Sequence, residues 1–427
     1  MGASTAMGSA VPTFGFLAAN VVDRETREPL FDPYRIQKFN GAKVAFIGMT
    51  LEGTPTIVSP AGVAGYDFLD GADTVNALVP ELRRRGVEAI VVLIHEGGSP
   101  ATFAPNGCAG ISGPIADIVE RMDDEVDLVI SGHTHQPYSC VIDGTPVTSA
   151  YSFGRIVTDI DMRVDRRTGD VSSLTINNRT VDRTVSPDPT ITALISRYRA
   201  LAAPIANRPI GRITADVTRV NDTSREQALG NAIADAQLLA TAAPGLGGAD
   251  VAFMNPGGVR ADLTHAGSGV GEGGGVVTYG EAFTVQPFGN SLVTLTLTGA
   301  QIERMLEEQL CGINSPVNGG FHRVLLPSAG FIYTWRLSAA GAASCDAADA
   351  IDPASITLGG LPLDAAASYR VTVNSFLADG GDGFATLAKG TGRLGGAVDT
   401  DAFEAYLVAA GSSGISPPLL DRINVLP

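Results

Sequence analysis

Three of the five histidines in this chain stand where apolar runs stop. Residues 126–130 (VDLVI) lead into Gly132-His133-Thr134-His135, and residues 87–94 lead into His95-Glu96-Gly97-Gly98. Short β-rich runs that stop at glycine read as strands, and open α/β sheets gather ligands at the C-terminal ends of their strands. Imidazole is a frequent ligand of zinc and other first-row metals. A Gly-His-x-His turn would offer one ligand to each of two metals, with His95 joining from the neighbouring strand. The plainer reading is a pair of polar histidines on a surface loop. A two-metal centre also needs a bridging carboxylate to hold its cations about 3.5–4 Å apart. No such partner is evident, so His95, His133 and His135 make part of such a centre.

Two further segments follow apolar runs. Asn255-Pro256-Gly257-Gly258-Val259-Arg260 comes after residues 250–254. Paired glycines let a backbone approach a ligand closely, and an arginine fork suits phosphate or carboxylate. A tight turn with a solvated arginine reads equally well. Residues 374–384 (NSFLADGGDGF) follow residues 369–373. There Phe376 offers a face for a flat base and Asp382 an acceptor for a ribose or base edge. The alternative is a glycine-rich turn with a core phenylalanine.

The four cysteines fall as one pair in each half of the chain, without the close spacing of a structural zinc site. Disulfides Cys108–Cys140 and Cys311–Cys345 are expected, and with them an extracytoplasmic home. Each would close a loop of ~30 residues, for which chain entropy gives roughly 3 to 4 kcal/mol. Four buried free thiols are the other reading.

The elements that must position these groups follow from pattern. The chain has 427 residues, room for two or three domains, with 44% hydrophobic and 17% charged residues as in globular proteins. A net charge of -16 argues against general nucleic-acid binding. An anionic substrate would need local positive charge, and arginine supplies nearly all of it. No apolar run is long enough to cross a bilayer. Residues 1–11 lack the basic start and apolar core of a signal peptide. Residues 43–50, 87–94 and 126–130 read as strands, and 73–85 and 111–122 as helices, a βαβαβ order that predicts parallel strands. Residues 145–180 read as antiparallel strands closing the domain. The breaker cluster at 186–189 and a helix over 190–203, ended by Pro204, read as a connector and hinge. Beyond it come a helix over 226–240 and strands at 250–254, 292–297, 331–337 and 369–373. Residues 267–275 read as a flexible glycine-rich loop.

In order, LAANVVD, KVAFIGMT, VVLIHEGG, DLVISGHTH, QALGNAIADA, NPGGVRADL, TYGEAFTVQPFGNSLV and NSFLADGGDGF resemble the 5'-nucleotidase / UDP-sugar hydrolase family. The resemblance runs from about Leu17 to the C-terminus. It implies an α/β fold class: a calcineurin-like metallophosphoesterase α/β sandwich over 1–185, a connector helix over 186–208, and an α+β nucleoside-binding C-terminal domain over 209–427. It implies a phosphoric monoester hydrolase acting on nucleoside monophosphates, with cyclic phosphodiester or UDP-sugar hydrolysis as variants. Two divalent ions are implied, with manganese, zinc, magnesium, calcium and iron undistinguished. His95 and His133 would share one ion and His135 would serve the other. Asn255, Gly258, Arg260, Phe376 and Asp382 would meet a small-molecule nucleotide or nucleoside. The second aromatic of a base clamp is expected within RVLLPSAGF, with Leu325 as the match and Phe321 or Phe331 as substitutes. The family opens with Asp-x-His, Gly-Asp and Gly-Asn-His-Glu motifs, and none occurs before Leu17. The metallophosphoesterase domain is therefore expected to be N-terminally incomplete, with no catalytic residue assignable. The rival expectations are a non-catalytic nucleoside-binding protein and an inactive gene fragment.

Overall fold

In the computed structural model the described residues are 15–427 apart from 57, 59, 268–270, 272 and 319. They divide into two compact units, one within residues 15–186 and the other essentially 187–427.

The first unit is built on a six-stranded sheet. Its strands are β1 (Tyr34–Phe39), β2 (Ala42–Met49), β3 (Ala89–Ile94), β4 (Leu128–Ser131), β5 (Pro137–Ile142) and β6 (Thr145–Ala150). Their spatial order is β1-β2-β3-β4-β6-β5. The central four run parallel, in register Val44↔Ala89, Val91↔Leu128 and Val129↔Val147. The crossovers are α1 (Gly71–Arg84) and α2 (Pro114–Glu120). α1 starts where the Asp70 side chain accepts the Asp73 N–H, and it buries Val75, Val79 and Leu82 on one stripe. α2 is shorter than the sequence pattern suggests, because Gly113 (φ 99°) cannot continue a helix upstream and Pro114 takes the first helical position. One sheet face packs Ile47, Ile90, Val92 and Val129 against these helices. On the other, Val44, Val91 and Leu128 meet Ile160, Met162, Leu174 and Ile176 of the hairpin β7 (Ile156–Val164) and β8 (Val171–Thr180). With both faces covered, the strands read as continuous apolar runs. The Cys108–Cys140 bridge ties the long loop after β3 to β5.

The second unit opens with α3 (Pro189–Ala206), capped by bonds from the Thr190 and Ile191 N–H groups to the Asp188 carboxylate. Pro204 does not end this helix. It falls in the last turn, and the Asn207 N–H closes that turn on the Ala203 carbonyl. There follow α4 (Ala228–Thr241), β9 (Val251–Met254), α5 (Tyr279–Val285), β10 (Ser291–Thr298), α6 (Gly299–Glu308) and β11 (Leu326–Pro327). The unit ends with β12 (Phe331–Arg336), β13 (Ser368–Asn374), β14 (Thr391–Val398), α7 (Asp399–Ala409) and β15 (Ile423–Leu426). Five strands form a sheet in the order β11-β9-β13-β10-β14. Only β9 and β13 are parallel in it; β10 lies antiparallel to β13 with Leu292 opposite Asn374. The start of β10 and the ends of β9 and β13 therefore meet at one edge. A second sheet pairs β12 with β15. α4 covers the first sheet through Leu229, Ile233 and Ala236. It lies so close that a Cβ on Gly230 would come within 2.4 Å of Leu326. Cys311–Cys345 is the second bridge. The glycine-rich stretch 267–275 lies partly outside the described residues.

Candidate functional site

Parallel neighbours end side by side, so β3 and β4 bring His95 and His133 together, with ring centroids 5.1 Å apart at 69°. The junction is tight. The Gly132 N–H donates to the Glu96 carbonyl (3.1 Å), and Thr134 Oγ1 donates to the Gly98 carbonyl (2.7 Å). Beneath it, the buried Tyr138 hydroxyl lies 2.6 Å from Ser131 Oγ and accepts the Gly98 N–H. His133 (φ 65°) and His135 (φ 53°) both adopt the left-handed backbone region, uncommon for non-glycine residues. His135 packs edge-on against Phe153, 5.5 Å away.

Glu96 is 7% exposed, and its carboxylate accepts the Gly97 N–H. Burial pushes its pKa up to about 7, opposed by the Gly97 bond and reinforced by the nearby Glu52 charge. A carboxyl with a raised native pKa binds protons more tightly folded than unfolded. Its contribution is thus present at low pH and lost as pH rises from its unfolded value toward about 7. Glu96→Gln should therefore be more stable than the parent above that pH, by about 3 kcal/mol, and equal to it in acid. Urea titrations in acid and in mild alkali check this; a pH-independent difference would contradict it.

Among the described residues, no three or more His, Cys, Asp and Glu side chains converge to hold a metal ion. His95 and His133 are paired, His135 is turned to Phe153, and Glu96 is bonded to its own neighbour's amide. Among the described residues these histidines are not joined by the bridging carboxylate that a two-metal centre requires.

The second unit carries a more developed cluster at the sheet edge where β9 and β13 end. Asn374 Nδ2 donates to Asn255 Oδ1 (2.9 Å), and Asn255 Nδ2 donates to Asp382 Oδ2 (2.8 Å). All three residues are buried. Asp382 (φ 57°) sits in the left-handed region between Gly381 and Gly383, and Asn314 Nδ2 donates to its carbonyl. Burial raises the Asp382 pKa, against the pull of Arg323 and the Asn255 bond. The Phe376 ring packs closely against this loop: a Cβ on Gly381 would come within 2.4 Å of it. Gly257 borders the Asp382 carboxylate, whereas Gly258 is buried and packs back on Met254 and Asn255.

Arg260 is exposed, donates to the Gly257 carbonyl, and places its guanidinium 5.8 Å from the Phe288 ring centre. Phe288 is 59% exposed. Its loop touches that of Phe376, since Ser375 Oγ donates to Asn290 Oδ1 (3.4 Å). The expectation of a stacking residue at Leu325 or Phe331 is corrected here: both are fully buried in the core. Leu325 sits on the inward face just before β11, where its N–H donates to Gln309 Oε1. Phe321 is exposed, but Arg323 lies over its ring at 4.3 Å. Phe288 and Arg323 were not singled out in the sequence. The only signal was the position of Phe288 between an α-helix and a strand, in QPFGN.

Residues 209–389 match the family model of the 5'-nucleotidase, C-terminal domain. A 5'-nucleotidase precursor from Thermus thermophilus superposes with a TM-score of 0.74 at 26% identity, covering 97% of this chain and 78% of that one. Residues 209–389 thus belong to the 5'-nucleotidase C-terminal domain family, and the chain as a whole is similar to 5'-nucleotidases. Its architecture is that of 5'-nucleotidases: a metallophosphoesterase-type α/β unit followed by an α+β C-terminal domain. Among curated 5'-nucleotidases, one from Vibrio cholerae is 27% identical over 442 residues, covering 93% of this chain and 72% of that protein. Cell wall protein Lmo0130 of Listeria monocytogenes is 33% identical over 423 residues, covering 93% of this chain and 51% of that protein. Against three curated relatives at 28–33% identity the chain spans 26–51% of their length.

Proposed function

We propose that this chain serves the hydrolysis of nucleoside monophosphates outside the cytoplasm, and that its second unit holds the nucleoside. The observation that carries this reading is the buried Asn374–Asn255–Asp382 relay beside two loops, joined by the Ser375–Asn290 bond, that carry Phe376 and Phe288. An ionised carboxylate is acceptor-only and suits the paired hydroxyls of a ribose. Aromatic faces contribute about 1 to 3 kcal/mol per stacked base, whatever the base. Arg260 supplies the fork for a phosphate. Two disulfides and the likeness to a cell wall protein support an extracytoplasmic setting. No helix among the described residues is long and apolar enough to cross a membrane.

His95 and His133 as ligands of one divalent ion, and His135 of a second, stand as assignments by resemblance. The described residues do not assemble the carboxylate that a two-metal centre needs. A second reading is a nucleoside-binding protein without turnover. Phosphate release from AMP, with manganese or zinc added in turn, separates the two. Hydrolysis predicts turnover that His133→Ala abolishes and Asp382→Ala weakens through KM. AMP binding without phosphate release would contradict hydrolysis and favour the second reading.

A further inference from the structure

Asp382 is a buried carboxylate whose two oxygens are unequally supported. Oδ2 accepts from Asn255, while Oδ1 faces Arg323 Nε at 3.5 Å. A carboxylate this enclosed drifts toward its neutral form unless a cation stays beside it. Arg323 is built to stay. Its side chain is only 16% exposed. Its Nη1 donates to Asn314 Oδ1, and Asn314 in turn donates to the carbonyls of Asp382 and Glu308. The exposed ring of Phe321 covers the guanidinium at 4.3 Å, a cation–π contact. One amide thus bridges both members of the ion pair, and one ring shields the cation from water.

The other charged groups around this loop are committed elsewhere. Glu308 of α6 accepts from the Thr386 N–H and hydroxyl. Asp379 pairs with Arg393 of β14, and Arg260 bonds the Gly257 carbonyl. Arg323 is the one cation that acts on the Asp382 carboxyl among the described residues.

We propose that Arg323 is a positioning residue for nucleoside binding: it keeps the Asp382 carboxylate oriented as a double acceptor for the vicinal diol of a ribonucleoside. It thereby sets the discrimination between ribonucleosides and nucleosides lacking that diol. The inference rests on the nucleoside site proposed above and adds a residue outside that contact set.

The test is calorimetric binding of adenosine and of 2',3'-dideoxyadenosine to the full chain, as wild type, R323K, R323M and R323Q. Wild type should prefer adenosine by about tenfold or more at both about pH 6 and about pH 8.5. In R323M the preference should fall, and fall further at about pH 6 than at about pH 8.5, because a buried carboxyl without its cation is held less firmly in the ionised form. R323K should keep most of it. Should R323M not melt cooperatively, R323Q decides, with the same loss expected at the lower pH. An unchanged preference in the neutral variants, or equal weakening of both ligands at every pH, would overturn the role of Arg323. No adenosine binding by wild type would overturn the nucleoside site itself, and this role with it. Binding with no preference for the diol would overturn this inference alone.

Discussion

Gly97→Ala should destabilise the first unit by about 2 to 4 kcal/mol and separate His95 from His133. A Cβ at residue 97 would lie 2.1 Å from the Gly132 carbonyl oxygen and 2.6 Å from Thr134 Oγ1. The hydroxyl can rotate away. The carbonyl cannot, because its peptide neighbours are fixed: the Gly132 N–H is bonded to the Glu96 carbonyl and the Thr134 N–H to the Gly132 carbonyl itself. Relief therefore requires β3 and β4 to part where they end. Urea unfolding followed by histidine ring proton resonances would report this loss. The single tryptophan, Trp335, is fully buried in the second unit, so its fluorescence transition should stay in place. Thr134→Ala should not rescue the glycine variant. A Gly97→Ala protein of parental stability would mean that the two strand ends are not locked together.

The second large effect is expected at Asp382. Asp382→Asn keeps the volume and the Asn255 contact but replaces an acceptor-only group by one that is half donor. Two charge-assisted hydrogen bonds to a ribose are worth about 2 to 4 kcal/mol together, so adenosine affinity should fall by about 30- to 1000-fold. Phe288→Ala should cost about 1 to 3 kcal/mol of the same affinity, because its ring is exposed and its removal leaves no core cavity. Titration calorimetry with adenosine measures both. Equal affinity in Asp382→Asn would remove the carboxylate from nucleoside recognition.

The elements that carry the sites differ in how legible they were. β2, β3 and β4 are buried on both faces, so their apolar runs stand out, and the histidines fall where those runs stop. The turn that follows was not legible: nothing in Gly-His-Thr-His announces that both histidines take positive φ and that His135 leaves for Phe153. α6 is marked in the sequence by a capping box, Thr298 with Gln301. β14 (TGRLGGAV) carries three glycines and an exposed edge, so neither propensity nor alternation marks it as a strand. In the second unit, Asn255, Arg260, Phe376 and Asp382 stand out as candidates because each lies in a segment that follows a strand. Arg323, in contrast, joins them through an ion pair to a residue 59 positions later, and Phe288 through a loop contact near residue 375. Such pairings belong to tertiary structure, and local pattern does not encode them. Leu325 offers no stacking face for a different reason: it lies in a continuous buried run with Val324 and Leu326, and only the tertiary packing of β11 shows that this segment is enclosed on all sides.

A crystal structure of the chain with adenosine bound tests the central claim most directly. The account predicts the base against the rings of Phe288 and Phe376, with the ribose hydroxyls on the Asp382 carboxylate. Adenosine bound elsewhere, or a site left unoccupied at millimolar nucleoside, would contradict it.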